Sequence, residues 1–283
     1  MQILECKIAF NTHLKDEYPE SEINSFFTIL TQFYLGMSRL DVAMNPHRQL
    51  SSEEEALFLE AEKKLKSHHP IQYITGQTEF FGYTFRVDKS VLIPRPETEE
   101  LVQWILNDVK INKIDNPEIL DIGTGSGCIA VSLAREIPSS KVTACDISEN
   151  ALKTAAKNSE ENNARIDFQK VDILKVDNLD KKYDIIVSNP PYVRELEKRQ
   201  MHKNVLYFEP ASALYVKDED PLLFYRKISK LAKAVLRKKG AVYFEINQYL
   251  VEETEELLKA TGFETELKKD IFGNFRMIKG YFS

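Results

Sequence analysis

The stretch ILDIGTGSGCIA, Ile119 to Ala130, restricts the possible folds more than any other part of the chain. An apolar run of strand length meets a turn with glycine at positions 123, 125 and 127, then an apolar pattern with helical spacing. Glycines at such a turn let the backbone bend tightly and approach a ligand closely. The surrounding sequence repeats this alternation from about residue 117 onward. EILDIG reads as a buried strand, followed by a helix over Ser126–Glu136. KVTACDIS is a strand and Glu149–Asn158 a helix; IDFQKVDIL and YDIIVSNPPY are strands. A helix over Leu222–Leu236, the strand GAVYFEIN, the helix LVEETEELLKATGF and a closing pair, ETELKKD and FRMIKGYF, complete the series. Strands alternating with helices predict an α/β fold with a doubly wound, mostly parallel sheet.

The first 75 residues read differently. SEINSFFTILTQFYLG places Ile23, Phe26, Phe27, Leu30, Phe33 and Tyr34 at helical spacing, with Gly36 as C-cap. SSEEEALFLEAEKKLKSHHP opens with Ser52 and Glu55 in capping-box register, runs from acidic to basic as the helix dipole favours, and is closed by Pro70. Between the halves, Glu79–Val87 alternates aromatic and polar residues around Gly82, the pattern of a β-hairpin. The expected organisation is a helical domain over 1–75, a hairpin linker over 76–90 and the α/β domain over 91–283.

The glycine spacing selects the ligand class. A dinucleotide fingerprint G-x-G-x-x-G needs glycine at 128 or 130, where Cys128 and Ala130 stand. That disfavours a nicotinamide oxidoreductase. The spacing here is G-x-G-x-G behind Asp121, which resembles the S-adenosylmethionine site of class I methyltransferases. Asp146 ends the second strand, where a carboxylate accepts both ribose hydroxyls. Asp172 and Ile173, at the end of the third, are placed for the adenine amino group and an apolar ring face. The same acids would also serve as strand-end caps; their order at successive strand ends favours the ligand.

The fourth strand ends in Asn189-Pro190-Pro191-Tyr192. Prolines cannot donate to a sheet, so the strand stops there, in the crevice beyond the carboxyl ends where such sheets bind ligands. Stiff backbone carbonyls, the Asn189 side-chain oxygen and the flat face of Tyr192 suit a planar NH2 group conjugated to a π-system. Acceptors on the Asn189 side chain and the Pro190 carbonyl would hold its two hydrogens, and positioning would supply most of the acceleration. The motif points to N-methyl transfer onto an amide or an exocyclic base amine.

PIQYITGQTEFFGYTFRVDKSVLIPRPETEELV resembles the linker of the HemK/PrmC family, the peptide chain release factor N5-glutamine methyltransferases. FEPASALYVKDEDPLLFYRKI and KDIFGNFRMIKG carry the same resemblance, which covers roughly residues 68–283. It implies a Rossmann-like, seven-stranded, class I S-adenosylmethionine-dependent methyltransferase domain behind a small helical domain that recognises the substrate. It implies methylation of the glutamine in the Gly-Gly-Gln loop of release factors, with S-adenosylhomocysteine as product and no metal. Carried over by motif, Gly123, Thr124, Gly125, Ser126, Gly127, Asp146, Asp172, Ile173 and Asn189 would contact the cofactor. Asn189, Pro190 and Tyr192 would be catalytic, and with Pro191 would hold the glutamine. Pro94–Glu99 should lie near the pocket, where Arg95 and Glu97 either serve the site or form a structural ion pair. The chain departs from the family at Asn247, where glycine is usual, and at His69, where an acid is common.

Bulk composition narrows the rest. The net charge of -6 does not suit a phosphate-neutralising nucleic-acid binder. Residues 51–70 mix three lysines with five glutamates, which argues against a nucleic-acid amine methyltransferase. A binding protein that has lost catalysis is disfavoured by the intact glycine turn, Asp146 and Asn189–Tyr192. Cys6, Cys128 and Cys145 show no metal spacing and suggest a reducing cytoplasm. The N-terminus lacks a secretory leader's profile, and no apolar run reaches membrane-spanning length. A cytoplasmic monomer without membrane or direct nucleic-acid contact is expected.

Overall fold

A computed structural model of the chain describes residues 1–282, which divide into two compact units. The first holds residues 1–76 and 202–208. Its helices are α1 (Ile3–Leu14), α2 (Glu20–Leu35), α3 (Arg39–Met44), α4 (Ser52–Lys66) and α5 (Ile71–Thr75), with α9 (Lys203–Phe208) from much later in the chain. Their apolar faces meet in a core of its own, in which Phe27 packs against both Phe10 and Phe58. Gly36 closes α2 with φ of 63°, as its position suggested. The cap of α4 is Ser51 with Glu54, one residue earlier than Ser52 with Glu55. Two serines followed by three glutamates satisfy the S-x-x-E pattern in either register, and the structure takes the first. That helix ends at Lys66, before Pro70.

The second unit holds residues 77–201 and 209–282 of the described chain. The hairpin strands β1 (Gln77–Phe80) and β2 (Tyr83–Arg86) belong to this unit. Then follow α6 (Pro96–Ile111), β3 (Glu118–Ile122), α7 (Cys128–Glu136), β4 (Lys141–Asp146), α8 (Glu149–Glu161), β5 (Ile166–Lys170) and β6 (Tyr183–Ser188). After the short pair β7 (Val193–Arg194) and β8 (Tyr215–Val216), with α10 (Ala211–Leu214) between them, come α11 (Leu223–Val235), β9 (Leu236–Glu245), α12 (Val251–Thr261), β10 (Glu264–Lys269) and β11 (Phe275–Tyr281).

The main sheet is seven-stranded, in the order β10-β11-β9-β6-β3-β4-β5, and only β11 runs against its neighbours. The period of two along each strand serves two cores. Ile119, Ile185, Val187 and Tyr243 face α6 and α7. Leu120, Ile186, Val242 and Phe244 face α11 and α12. From β3 the chain winds outward through β4 and β5, then returns to the other side with β6 and β9. The strand order therefore reverses between β3 and β6, and a crevice opens beyond their carboxyl ends.

Differences from the sequence reading lie at element ends. α7 begins at Cys128 instead of Ser126, because Gly127 takes the left-handed conformation with φ of 81°. β5 stops at Lys170, so Asp172 and Ile173 lie beyond it: Asp172 caps a 3-10 turn over Ile173–Lys175.

Candidate active site

The crevice contains a cavity of about 280 Å³, near the lower edge of small-molecule sites. Its walls come from the residues after β3, β4, β5 and β6, from Ser90–Leu92, Pro94 and Arg95 ahead of α6, from Thr98 in α6, and from α10 and α11.

The turn after β3 is held by β4: the N–H groups of Gly123 and Thr124 both donate to the Cys145 carbonyl, at 2.8 and 3.0 Å. Its glycines differ in role. A Cβ on Gly123 or Gly125 would meet no atom within 4 Å, and both residues line the cavity. A Cβ on Gly127 would lie 3.1 Å from Ala155 Cβ, so this glycine seats α7 against α8, and it does not line the cavity. Thr124, Ser126, Asp146, Asp172 and Ile173 do. Asp146 Oδ2 accepts from Gly125 N–H at 2.9 Å and its Oδ1 from Ser148 N–H at 2.8 Å, which fixes the carboxylate at the turn. Asp172 Oδ1 accepts from Leu174 N–H.

Beneath the turn Asp121 is wholly buried. Its Oδ2 accepts from the Thr124 hydroxyl at 2.7 Å, and its Oδ1 has no partner among the described residues. Burial, with some contribution from the charge of Asp146, pushes this carboxyl up to about 7. Arg95, the one basic residue of the cavity wall among the described residues, is bound at 2.5 Å to buried Glu209, which also accepts from Ile93 N–H. The Arg95–Glu97 pair is thus replaced by Arg95–Glu209, a partner 114 residues away that no local spacing could reveal. An under-satisfied acid, acidic walls and no unpaired basic side chain among the described residues of the cavity wall suit a ligand bearing positive charge. They do not suit a pyrophosphate. S-adenosylmethionine, with its sulfonium and ammonium groups, fits that chemistry.

On the other wall, Ser188 Oγ donates to the Ile122 carbonyl at 2.7 Å and locks the end of β6 to that of β3. Asn189, Pro190 and Pro191 line the cavity; Tyr192 does not. The Tyr192 ring packs on the α11 side of the sheet, and its hydroxyl donates at 2.9 Å to Glu245 Oε1. Glu245 is 1% exposed and accepts on Oε2 from Thr98 Oγ1 at 2.6 Å. Asn189 Nδ2 donates to Thr98 Oγ1 at 3.3 Å. Asn247 Nδ2 donates to the Tyr192 carbonyl and to Glu197 Oε2, both at 3.0 Å. Local sequence pattern does not mark Thr98 or Glu245 as site residues, and it marks Asn247 only as a departure. A signal existed in VYFEIN: an acid inside a strand with apolar residues on both sides needs a buried partner.

This fold and cavity define a class I S-adenosylmethionine-dependent methyltransferase. The profile of the Methyltransferase small domain matches residues 102–218, and that of the PrmC N-terminal domain residues 10–76. The T. thermophilus 16S rRNA N2 G1207 methyltransferase, solved with AdoMet and guanosine, shares the fold at 19% identity. Its TM-score is 0.52 over 73% of this chain and 50% of that one. The release factor glutamine methyltransferase of Flavobacterium psychrophilum is 50% identical over 99% of both chains. That of Bacteroides thetaiotaomicron is 45% identical over 94% of this chain and 95% of its own. The chain belongs to the release factor glutamine methyltransferase family. Among the described residues no helix is long and apolar enough to cross a membrane.

Proposed function

We propose that the chain methylates the side-chain amide nitrogen of the glutamine in the Gly-Gly-Gln loop of peptide chain release factors. The observation that carries this reading is the meeting, in one cavity, of the glycine turn, Asp146 and Asp172 with Asn189, Pro190 and Pro191. Gly123, Thr124, Gly125 and Ser126 would hold the amino-acid end of S-adenosylmethionine, Asp146 the ribose, and Asp172 with Ile173 the adenine. Gly127 supports that cradle from behind, through Ala155. The cofactor, when bound, supplies an electrophilic methyl group and leaves as S-adenosylhomocysteine.

An amide nitrogen is a poor nucleophile because its lone pair is delocalised. The Asn189 side-chain oxygen and the Pro190 carbonyl would accept its two hydrogens and aim the lone pair at the methyl group. The same fixed acceptors stabilise the positive charge that grows on nitrogen. The methylated nitrogen is strongly acidic and loses its extra proton to water. Tyr192 acts from outside the cavity, by holding the Asn-Pro-Pro turn. The helical unit is read as the grip on the release factor, and the protein as a cytoplasmic monomer.

The test is methyl transfer from labelled S-adenosylmethionine, offered purified release factor and, separately, total nucleic acid, with the label located by tandem mass spectrometry. One added methyl on the Gly-Gly-Gln glutamine supports the reading. Label on nucleic acid alone overturns it.

A further inference from the structure

Nothing in an asparagine chooses which end of its amide faces a ligand. Half a turn about the terminal bond exchanges an acceptor for a donor at nearly the same point. If Asn189 presented Nδ2, it would donate toward an NH2 group, and capture of the amide would fail. Its neighbours remove that freedom. In its ionised form Glu245 only accepts, and it then takes the single hydroxyl proton of Thr98 on Oε2 and that of Tyr192 on Oε1. Thr98 Oγ1 is left with lone pairs alone toward Asn189, and only the NH2 end of the amide can answer it. Among the described residues, nothing donates to Asn189 Oδ1.

We propose that Thr98 and Glu245 are positioning residues that fix the polarity of Asn189, turning its carbonyl oxygen toward the substrate amide. The inference rests on the reading of Asn189 as an amide acceptor. It gives the Pro94–Glu99 segment a role, because Thr98 carries polarity from a strand end across to the turn after β6. Glu245 is a costly group for packing alone. It is buried and makes no ion pair at contact distance among the described residues, and hydroxyls answer both its oxygens. Burial raises its carboxyl, while the Thr98 and Tyr192 hydroxyls and the charge of Arg276 oppose that rise. Tyr192 then has a second use, because one carboxylate anchors both the turn and the amide that the turn presents.

The test measures kcat and KM of the full chain on purified release factor, with calorimetry for S-adenosylmethionine and a melting curve for each variant. Thr98→Val keeps the shape and breaks the relay. Its kcat should fall about tenfold to a hundredfold, with cofactor affinity within about twofold of wild type. Thr98→Ser should restore kcat to within about threefold. Glu245→Leu removes the acceptor, leaves the Thr98 hydroxyl free to donate to Asn189 Oδ1, and should lower kcat similarly. The double variant Thr98→Val/Glu245→Leu should lose no more than the larger single loss, since both break one relay. Wild-type kcat in Thr98→Val, no rescue by serine, or losses that add would overturn the proposal. Should Thr98→Val melt below the assay temperature, Glu245→Leu decides alone, and a wild-type kcat there is fatal. Asn189→Ala separates the two levels. If it stays active, the acceptor reading itself falls; if it is dead while Thr98→Val is not, only the relay falls.

Discussion

The two walls of the cavity are built on different principles. The wall after β3 and β4 is local: a continuous glycine turn, closed by hydrogen bonds to the neighbouring strand and one carboxylate at its end. The wall after β6 is a junction. Asn189 and Tyr192 take their orientation from Thr98, Glu245 and Asn247, brought from α6 and from the end of β9. A local wall holds its ligand by backbone shape, and a single added side chain should spoil it. A junction holds its ligand by side-chain polarity, so isosteric changes that alter only hydrogen bonding should damage it.

The comparison breaks most visibly at Asn189. Asn189→Ala should lower kcat by about 10²–10³-fold, the scale for removing one fixed polar group from a charge-stabilising site. Melting temperature should change little. Turnover at the wild-type rate, measured with purified release factor, would show that the junction wall does not carry the acceptor.

The glycine wall is sharpened by a pair of variants. Gly125 has φ of 55° and open space where a Cβ would stand. Gly125→Val puts a branched side chain into a left-handed conformation and into the cavity, so cofactor affinity should fall by at least about fiftyfold. Gly127→Ala meets Ala155 instead, and should cost about 1–3 kcal/mol of stability with a smaller loss of affinity. Calorimetry and melting curves on both variants check the division. Equal affinity losses would mean that Gly127 also faces the ligand.

Asp121 tests whether the local wall stores an electrostatic cost. Its carboxyl is raised from 3.8 to about 7, so the folded protein holds this proton more tightly than the unfolded chain. Stability from this group is full below pH 4, declines as pH rises, and is lost above about 7. Asp121→Asn removes the dependence. Its melting temperature relative to wild type should rise between pH 5 and pH 8, by roughly 5 °C. A difference that stays flat with pH would mean that Asp121 titrates normally. A bound cation should favour the charged carboxylate, so wild-type affinity for S-adenosylmethionine should weaken as pH falls below 7.

The contrast between the walls also explains what could be read from the sequence. The alternation of strands and helices, the glycine spacing and the Asn-Pro-Pro break are local patterns, and they place the cavity at the reversal of strand order. Asp146 is legible because a strand end is a local event. Partners across sequence are not: Arg95 finds Glu209, and Thr98 finds Glu245 at a separation of 147 residues. Tyr192 was expected to offer its face to the substrate because an aromatic ring after two prolines has no visible alternative. Buried Glu245, invisible as a partner in the sequence, supplies one. The division into units likewise depends on a distant piece, since residues 202–208 join the first 76.

The smallest effect belongs to Asn247, where the resemblance in sequence implies glycine as the usual residue. Its backbone is not left-handed, so φ does not require glycine here. The side chain ties the Tyr192 carbonyl to buried Glu197 and accepts from Tyr249 N–H at 2.9 Å. Asn247→Gly removes these ties and leaves Glu197 to Arg194. The expected cost is about 1–3 kcal/mol of stability, with kcat within about threefold of wild type, because the Thr98–Glu245 relay is untouched. A large loss of kcat at unchanged stability would mean that the Asn247 tie to Glu197 also sets the geometry at the substrate amide. A lower melting temperature with near-normal kcat would confine Asn247 to holding the turn from behind, with the polarity of Asn189 set elsewhere.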